Sequence, residues 1–146
     1  MKPRKSPREK MEAAHEAKLV AIPPKMQKRF GKGKMLIPKP LDLDALIRKV
    51  PRGKVLTLTQ LREKLARAAG ADVTCPMVAG IHLRIVAEAA AADLNAGKPR
   101  VTPYWRVVRD DGRLLEKAPG GPSEQARLLE AEGHTIDSSA KLRVIS

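Results

Sequence analysis

The sequence has little cysteine and few aromatic residues. Cys75 is its only cysteine, so an intramolecular disulfide is excluded and we expect a reducing, cytoplasmic setting. No apolar run approaches the roughly 18 residues that span a bilayer, and no apolar signal segment follows the basic first residues. These absences predict a soluble protein with no membrane partner. Because His15, His82 and His134 do not share metal-ligand spacing with Cys75, we also expect no metal and no cofactor.

Acidic residues are scarce relative to basic ones. The 146 residues include 29 Lys and Arg against 16 Asp and Glu, which gives a formal net charge of +13. Clustered cations gain free energy by displacing counterions from phosphates, so we expect a polyanionic partner. Residues 1–39 hold twelve Lys and Arg against three Glu, and therefore most of the excess charge. This distribution predicts a basic N-terminal arm over residues 1–40 and one folded domain over residues 41–146.

The arm has its own local signals. Ser6 and Glu9 form a capping-box pattern, which predicts a helix over Pro7–Leu19 that ends before a Pro-Pro pair. The segment Lys25–Pro40 mixes basic residues, glycines and prolines, which predicts an extended basic strap. The strap would either contact phosphates or serve as a solvated linker, and the sequence leaves both interpretations open.

The folded part begins with three predicted helices. They cover residues 42–49, 59–69 and 76–95, with Thr59 as the N-cap of the second helix and Gly70 at its end. A short helix, a turn and a longer helix are the layout of a helix-turn-helix. The turn Asp110–Gly112 separates two apolar stretches and predicts a small β-hairpin, which would form a wing beside these helices. We therefore expect a mainly α fold of winged helix-turn-helix type, with a further helix from Pro122 to Gly133.

The third predicted helix has two apolar faces at about 100° per residue. The predicted core face consists of Val78, Ile81, Ile85, Ala89 and Ala92. The opposite face consists of Pro76, Gly80, Leu83, Ala87 and Ala90, with Arg84 on its flank. Because that opposite face is small and almost uncharged, it would permit close approach to a nucleic-acid groove. A helix buried on both sides is the alternative.

Three blocks of the sequence are similar, in the same order, to the motifs of one protein family. Val50–Thr59 is similar to the pattern I-P-x-G-K-V-T-T-Y-G, and Pro103–Val108 is similar to P-C-H-R-V-V. Gly112, Pro119–Gly121 and Leu128–His134 follow like a turn Gly, S-G-G and L-L-x-x-E-G-H. With these blocks, residues 50–134 resemble the DNA-binding and active-site domain of the alkylguanine-DNA alkyltransferases, which take an alkyl group from guanine onto a cysteine.

The departures from this family pattern concern its chemistry. Tyr104 stands at the position of the acceptor cysteine and Trp105 at that of the activating His, while Glu132 keeps the Glu position. A phenol followed by an indole cannot form the thiolate relay, so alkyl transfer at this degenerate site is implausible. Leu58 replaces the Tyr that turns the phosphate during base flipping, and Pro76 falls at the position of the Arg that fills the vacated stack.

The resemblance therefore implies a non-catalytic DNA-binding protein of the alkyltransferase-like type, which recognises alkylated or otherwise damaged bases without repairing them. Its expected partners are duplex DNA and a repair protein, and we expect a monomer. The candidate DNA contacts are Arg52, Lys54, Thr57, Gly80, Arg84 and Arg106. The candidate pocket residues are Tyr104, Trp105, Pro119 and Gly120. Arg106 could equally be a structural arginine that pairs inside the domain.

Two alternatives stay open at this stage. The Tyr104/Trp105 pocket could belong to a protein- or ligand-binding module, because paired aromatics suit an interface anchor. Cys75 could be a displaced alkyl acceptor, since it precedes a helix N-terminus where the helix dipole lowers a thiol pKa. Against the second alternative, a lone free cysteine is commonly a small buried residue.

Overall fold

Helices make up most of the regular structure in the computed structural model, which describes residues 6–13, 16–139 and 141–145. The helices are Pro7–Ala13 (α1), Pro24–Phe30 (α2), Pro40–Ile47 (α3), Leu58–Ala69 (α4), Pro76–Asn95 (α5) and Gly121–Glu130 (α6). The strands are Lys18–Ala21 (β1), Lys34–Ile37 (β2), Leu56–Thr57 (β3), Val73–Thr74 (β4), Val107–Val108 (β5), Ile136–Asp137 (β6) and Arg143–Val144 (β7). The mainly α fold class with small β elements is confirmed.

The core forms where α3, α4 and α5 meet. Leu43 and Ile47 of α3, Leu61 of α4 and Val86 of α5 are almost completely buried in one apolar cluster. Leu43 and Ile47 lie four residues apart on α3, as do Leu61 and Leu65 on α4, so each of these two helices turns one apolar stripe inward. The long helix α5 therefore holds the other elements together.

The predicted helix-turn-helix is formed by α4 and α5. The hydroxyl of Thr57 accepts the N–H of Gln60 at 3.2 Å, and the Gln60 side chain accepts the N–H of Thr57 at 2.9 Å, which is a complete capping box. The N-cap is thus Thr57 and not Thr59 as predicted. Gly70 ends α4 with φ of 71°, a conformation that favours glycine. The bounds of α5 agree with the prediction.

Only the turn of the predicted β-hairpin forms, and its two flanking segments do not pair with each other as a hairpin. The N–H of Arg109 donates to the carbonyl of Arg113 at 2.9 Å, which closes the turn around Asp110. The flanking segments pair elsewhere: β5 runs parallel to β3, and the N–H of Leu114 donates to the carbonyl of Leu142. Thr59 N–H and its hydroxyl both donate to the Asp110 carboxylate, so the turn is anchored to the start of α4.

The N-terminal segment folds onto the rest of the domain. Helix α1 ends at Ala13 and not at Leu19, because β1 pairs with β2 in an antiparallel arrangement. The extended strap predicted for Lys25–Pro40 is also wrong, since this stretch contains α2 and β2. Strand β2 in turn pairs in parallel with β4, which lies beyond residue 40. Apolar pairing partners thus override the weak local signals of this basic segment.

Helix α1 packs against α5, and the described contacts include a buried apolar side chain and an ion pair. Met11 is only 1% exposed and belongs to the main core cluster. The guanidinium of Arg8 donates to the carboxylate of Asp93 at 2.7 Å, and Lys98 pairs with the same carboxylate at 3.2 Å. Burial alone would raise the pKa of Asp93, but the hydrogen bonds from Lys98 and Arg8 outweigh it and lower that pKa.

The predicted faces of α5 are partly wrong. Ile81, placed on the core face, is 55% exposed, while Leu83, Ala87 and Ala90 of the opposite face are buried. The reason is that α5 is covered on two sides: Ala87 and Ala90 pack with the cluster around Tyr104, and Ala89 packs with the main core. The exposed outer face of α5 consists of Met77, Gly80, Ile81 and Arg84.

Candidate functional site

Tyr104 stands where the family pattern has its acceptor cysteine, and it is buried. It begins a 3-10 turn over Tyr104–Arg106, is 1% exposed, and lies edge-on to Trp105 with ring centroids 5.5 Å apart. Its hydroxyl donates a long hydrogen bond of 3.5 Å to the carbonyl of Pro119. Burial raises the pKa of the Tyr104 phenol, which therefore stays neutral at physiological pH. A neutral, buried phenol is a packing group and a poor nucleophile.

The carboxylate of Glu132 is occupied by two neighbours. It accepts the indole N–H of Trp105 at 3.0 Å and two guanidinium donors of Arg106 at 2.9 and 2.7 Å. Arg106 also donates to the carbonyl of Val50 at 2.7 Å. Burial acts to raise the pKa of Glu132, but the hydrogen bonds from Arg106 and Trp105 prevail, so this pKa lies below its ordinary value. These residues are called the degenerate centre below: Tyr104, Trp105, Arg106 and Glu132.

Gln125 connects the degenerate centre to its surroundings. Its side-chain amide is fully buried and donates to the carbonyls of Trp105 at 3.0 Å and Val107 at 2.8 Å. Its amide oxygen accepts the N–H of Leu115 at 2.7 Å. This contact holds the 3-10 turn against α6. The sequence reasoning missed Gln125, and the signal that could have found it is a polar residue on the apolar side of α6, next to Ala126 and Leu129.

The predicted pocket is assembled in part. A cleft of about 600 Å³ is lined by Tyr104, Pro119 and Gly120, three of the four predicted pocket residues. Its other walls are Ala91, Leu94, Asn95, Ser123, Glu124 and Arg127. Trp105 does not line it, and Tyr104 presents almost no surface there. This geometry gives little support to a ligand-binding module that uses both aromatic rings.

A second cleft, of about 220 Å³, lies beside the outer face of α5. Its apolar walls come from Leu58, Leu83, Ala87, Leu115 and Ala118. Gly80, Arg84, Arg109, Glu116 and Lys117 complete the lining. Gly80 and Arg84 were predicted as DNA contacts, and a side chain added at Gly80 would meet only open space. We call this depression the α5 cleft, and its walls beyond α5 were not foreseen from the sequence.

The other predicted DNA contacts have different surroundings. Arg52 is exposed and donates to the carbonyl of Ala131 at 2.9 Å, and Lys54 is exposed in the turn before β3. Thr57 uses its hydroxyl to cap α4. Arg106 is largely buried and donates to Glu132 and to the carbonyl of Val50, which is the arrangement expected of a structural arginine.

Cys75 lies away from the degenerate centre. It directly precedes α5 and is buried in a separate apolar cluster with Ile22 and Met35. A thiol covered by the N-terminal segment is poorly placed to meet a bulky alkylated base, so the structure favours the packing interpretation of Cys75. Among the described residues, which do not include His15, no group of His, Cys, Asp and Glu side chains could hold a metal ion.

No helix in the described ranges is long and apolar enough to cross a membrane.

Residues 43–134 match the family model described as 6-O-methylguanine DNA methyltransferase, DNA binding domain. No curated protein sequence matches the chain. The chain is similar to a crystal structure of S. pombe Atl1 in complex with damaged DNA containing O6-carboxymethylguanine. The identity is 21%, the match covers 73% of this chain and 87% of that chain, and the TM-score is 0.48.

Proposed function

The chain belongs to the 6-O-methylguanine DNA methyltransferase family through its DNA-binding domain, and from this premise we propose that it binds duplex DNA without accepting alkyl groups. One observation carries the second half of this proposal. The position of the acceptor thiol holds the buried phenol of Tyr104, and Glu132 receives hydrogen bonds from Trp105 and Arg106. An indole N–H only donates, so Trp105 cannot take a proton from a nucleophile.

The outer face of α5 is the best candidate for the DNA-contacting surface. Arg84 lies on this face, and Arg109 and Lys117 rim the adjacent α5 cleft. Cations at the edge of a groove-binding helix position the duplex through its phosphates. Arg52 and Lys54 are exposed in the turn before β3 and would add contacts on the same principle.

The N-terminal segment would supply further phosphate contacts. Lys25, Lys28 and Arg29 are exposed on α2, and the adjoining Lys32 and Lys34 are exposed as well. Phe30, at the end of α2, lines a groove together with Arg62 and Arg67 of α4. The basic segment is therefore packed beside the helix-turn-helix, where its charges would add to the field that attracts DNA.

The α5 cleft suits the recognition of a single extruded base. A flipped base is held by apolar or aromatic walls and by polar groups at its edge. Leu58, Leu83 and Leu115 offer apolar walls, and the cations of the lining outnumber its one acidic residue, Glu116. We therefore include damaged bases in the proposal. Because the degenerate centre performs no repair chemistry, a separate repair protein would have to act on the bound damage, and the protein itself would act as a monomer.

Fluorescent duplexes with and without one O6-alkylguanine provide the test. We expect binding to both, tighter binding to the alkylated duplex, and at least a tenfold loss of affinity between about 50 and 200 mM salt. Intact-protein mass after incubation should be unchanged. Absence of binding at low salt would end the DNA proposal, and equal affinities would remove damage recognition alone. An added alkyl mass on Cys75 would show that the protein is an alkyl acceptor after all.

A further inference from the structure

A groove separates the end of α2 from α4, and we call it the α2–α4 groove. Its volume is about 470 Å³, and Phe30 of α2 lines it together with Arg62 and Arg67 of α4. This volume falls within the roughly 300–1,000 Å³ of sites that hold small molecules. The groove shares no lining residue with the α5 cleft, so it is a separate candidate site.

Phe30 is the only phenylalanine of the chain, and it is only half-buried. One part of its ring packs against the apolar cluster around Cys75, and the rest lines the groove. The guanidinium of Arg29 lies over this ring, with its Cζ 4.7 Å from the ring centroid. Arg29 is itself exposed. Because bases stack both on aromatic rings and on guanidinium planes, this pair offers a stacking surface.

Positive charge dominates the surroundings of the α2–α4 groove. Residues 17–38, which include α2, contain six Lys and Arg and no Asp or Glu, and α4 adds its two arginines. The groove also contains Glu63 and Asp72. The carboxylate of Asp72 accepts the N–H of Lys34 at 2.8 Å, so it is already engaged within the fold. The excess of cations therefore favours a ligand that carries phosphates.

A recessed stacking surface favours a single strand over a duplex. In a duplex the faces of the bases are covered by their neighbours, so that only phosphates and base edges are accessible. In a single strand, unstacked bases can turn into a groove while the phosphates follow its cations. Proteins that bind single strands without sequence preference combine a basic groove with aromatic side chains in this way. The lysines of α2 would suit either ligand, whereas the pair of Arg29 and Phe30 suits the single strand.

We propose that the α2–α4 groove binds single-stranded nucleic acid. One base stacks on Arg29 and Phe30, and Arg62, Arg67 and the lysines of α2 hold the phosphates. This binding activity goes beyond the proposed duplex binding, because it uses neither α5 nor the α5 cleft. Either proposal can therefore fail without the other. Single-stranded DNA and RNA share the stacking faces and the phosphates that the groove recognises, so the experiment compares both.

The experiment measures binding of the full-length protein to fluorescent oligothymidylate and oligouridylate of about 16 nucleotides, and to a blunt duplex, by anisotropy at low salt. We expect the wild-type protein to bind a single strand. Each phosphate contact should contribute about −0.7 to the slope of log affinity against log salt.

Two pairs of variants locate the strand. Phe30→Leu keeps an apolar side chain against the cluster around Cys75 and removes the ring, so single-strand affinity should fall at least about fivefold with an unchanged salt slope. Phe30→Tyr keeps the ring and should bind like the wild type. Arg67→Ala should make the slope shallower by about 0.7. Its matched control is Lys64→Ala, an exposed cation of the same helix that lines a different cleft, and it should leave the slope unchanged.

Every other outcome decides for or against the groove. Absence of single-strand binding at low salt would refute the proposal, whatever the duplex does. If Phe30→Leu melts like the wild type and both it and Arg67→Ala bind single strands normally, the strand lies elsewhere. If both variants weaken duplex binding by the same factor, the groove contacts duplex phosphates and the preference for single strands is refuted. Binding of DNA alone or RNA alone would support the groove and identify its strand.

A further variant covers the case in which Phe30→Leu fails to fold. Arg29→Ala removes an exposed guanidinium, so its melting temperature should stay close to that of the wild type. It should bind single strands about threefold more weakly or worse, because the cation over the Phe30 ring is lost. Unchanged single-strand affinity in this variant would overturn the stacking surface.

Discussion

The degenerate centre and the outer face of α5 use their side chains in opposite ways. In the degenerate centre, Trp105 and Arg106 both donate to Glu132, and the phenol of Tyr104 is enclosed. On the outer face of α5, Met77 and Ile81 are largely exposed and Gly80 adjoins open space. The first region directs its polar groups inward, and the second presents an apolar ridge outward.

This difference separates stability from binding. Interior hydrogen bonds and packing hold the 3-10 turn, the end of α6 and the turn before β3 together, so changes in the degenerate centre should act on folding. Changes on the outer face of α5 remove little buried area and should act on contact with a partner. In this chain the position that performs chemistry in the family pattern holds a buried Tyr104, next to the hydrogen bond between Trp105 and Glu132. Mutations can test how complete that separation is.

The largest expected effect comes from Glu132→Ala. This change leaves the largely buried guanidinium of Arg106 and the indole N–H of Trp105 without their shared acceptor. Removing one partner of a buried ion pair costs about 3 kcal/mol or more of unfolding free energy. Urea unfolding followed by tryptophan fluorescence measures this loss directly, because Trp105 is the sole tryptophan.

A matched control is Glu124→Ala, which removes the partly exposed partner of the exposed Arg127 on α6. Its unfolding midpoint should stay close to that of the wild type, since exposed ion pairs contribute little. At a temperature where Glu132→Ala is still folded, its affinity for duplex DNA should equal that of the wild type. A marked loss of DNA affinity in the folded variant would mean that the two regions are coupled.

The sequence predicts the residues of the degenerate centre, but for α5 it predicts only the two ends and not the faces. Local signals place α5 correctly at both ends, because Pro76 and Gly97 mark the termini of a long apolar stretch. They fail to place its faces, since Leu83 and Ile81 are both apolar and only their tertiary neighbours decide which is buried. The family register identifies Tyr104, Trp105 and Glu132 as one site, and these residues do come together.

What the sequence did not predict depends on contacts between distant residues. The pairing of Leu36 with Thr74 brings the basic segment onto the domain, and no local pattern specifies that partner. Gln125 offers a similar case, because its three hydrogen bonds reach backbone groups that are 10 to 20 residues away. Long-range β pairing and buried side-chain to backbone contacts are the features that periodicity alone cannot reveal.

An effect of intermediate size is expected for acidic pH. The pKa of Glu132 lies below its ordinary value of 4.5, because hydrogen bonds from Arg106 and Trp105 outweigh the opposing effect of burial. A carboxyl whose pKa is lower in the folded state stabilises the fold fully above 4.5 and loses this contribution as pH falls through its folded pKa. Unfolding free energy should therefore decrease below about pH 4.5.

The variant Glu132→Gln isolates this contribution from those of Asp93 and other carboxyl groups. Its unfolding free energy should be lower than that of the wild type at neutral pH. This difference in unfolding free energy should narrow as the pH falls from about 5 toward about 3, a window set by the ordinary Glu pKa. Urea titrations at each pH provide the comparison. If the difference in unfolding free energy stayed constant over this range, the Glu132 carboxylate would not be the source of the acid sensitivity.

The smallest expected effect is that of Arg84→Ala. Arg84 is exposed and pairs only with Glu88 of its own helix in the described structure, so the melting temperature should hardly change. If Arg84 contacts one phosphate, the slope of log affinity against log salt should become shallower by about 0.9. Arg127→Ala, which alters a cation beside the Tyr104 cleft, is the matched control and should leave the slope unchanged. A variant of Arg84 with an unaltered slope would place the phosphate contacts elsewhere, with Arg109 and Lys117 across the α5 cleft as the next residues to test.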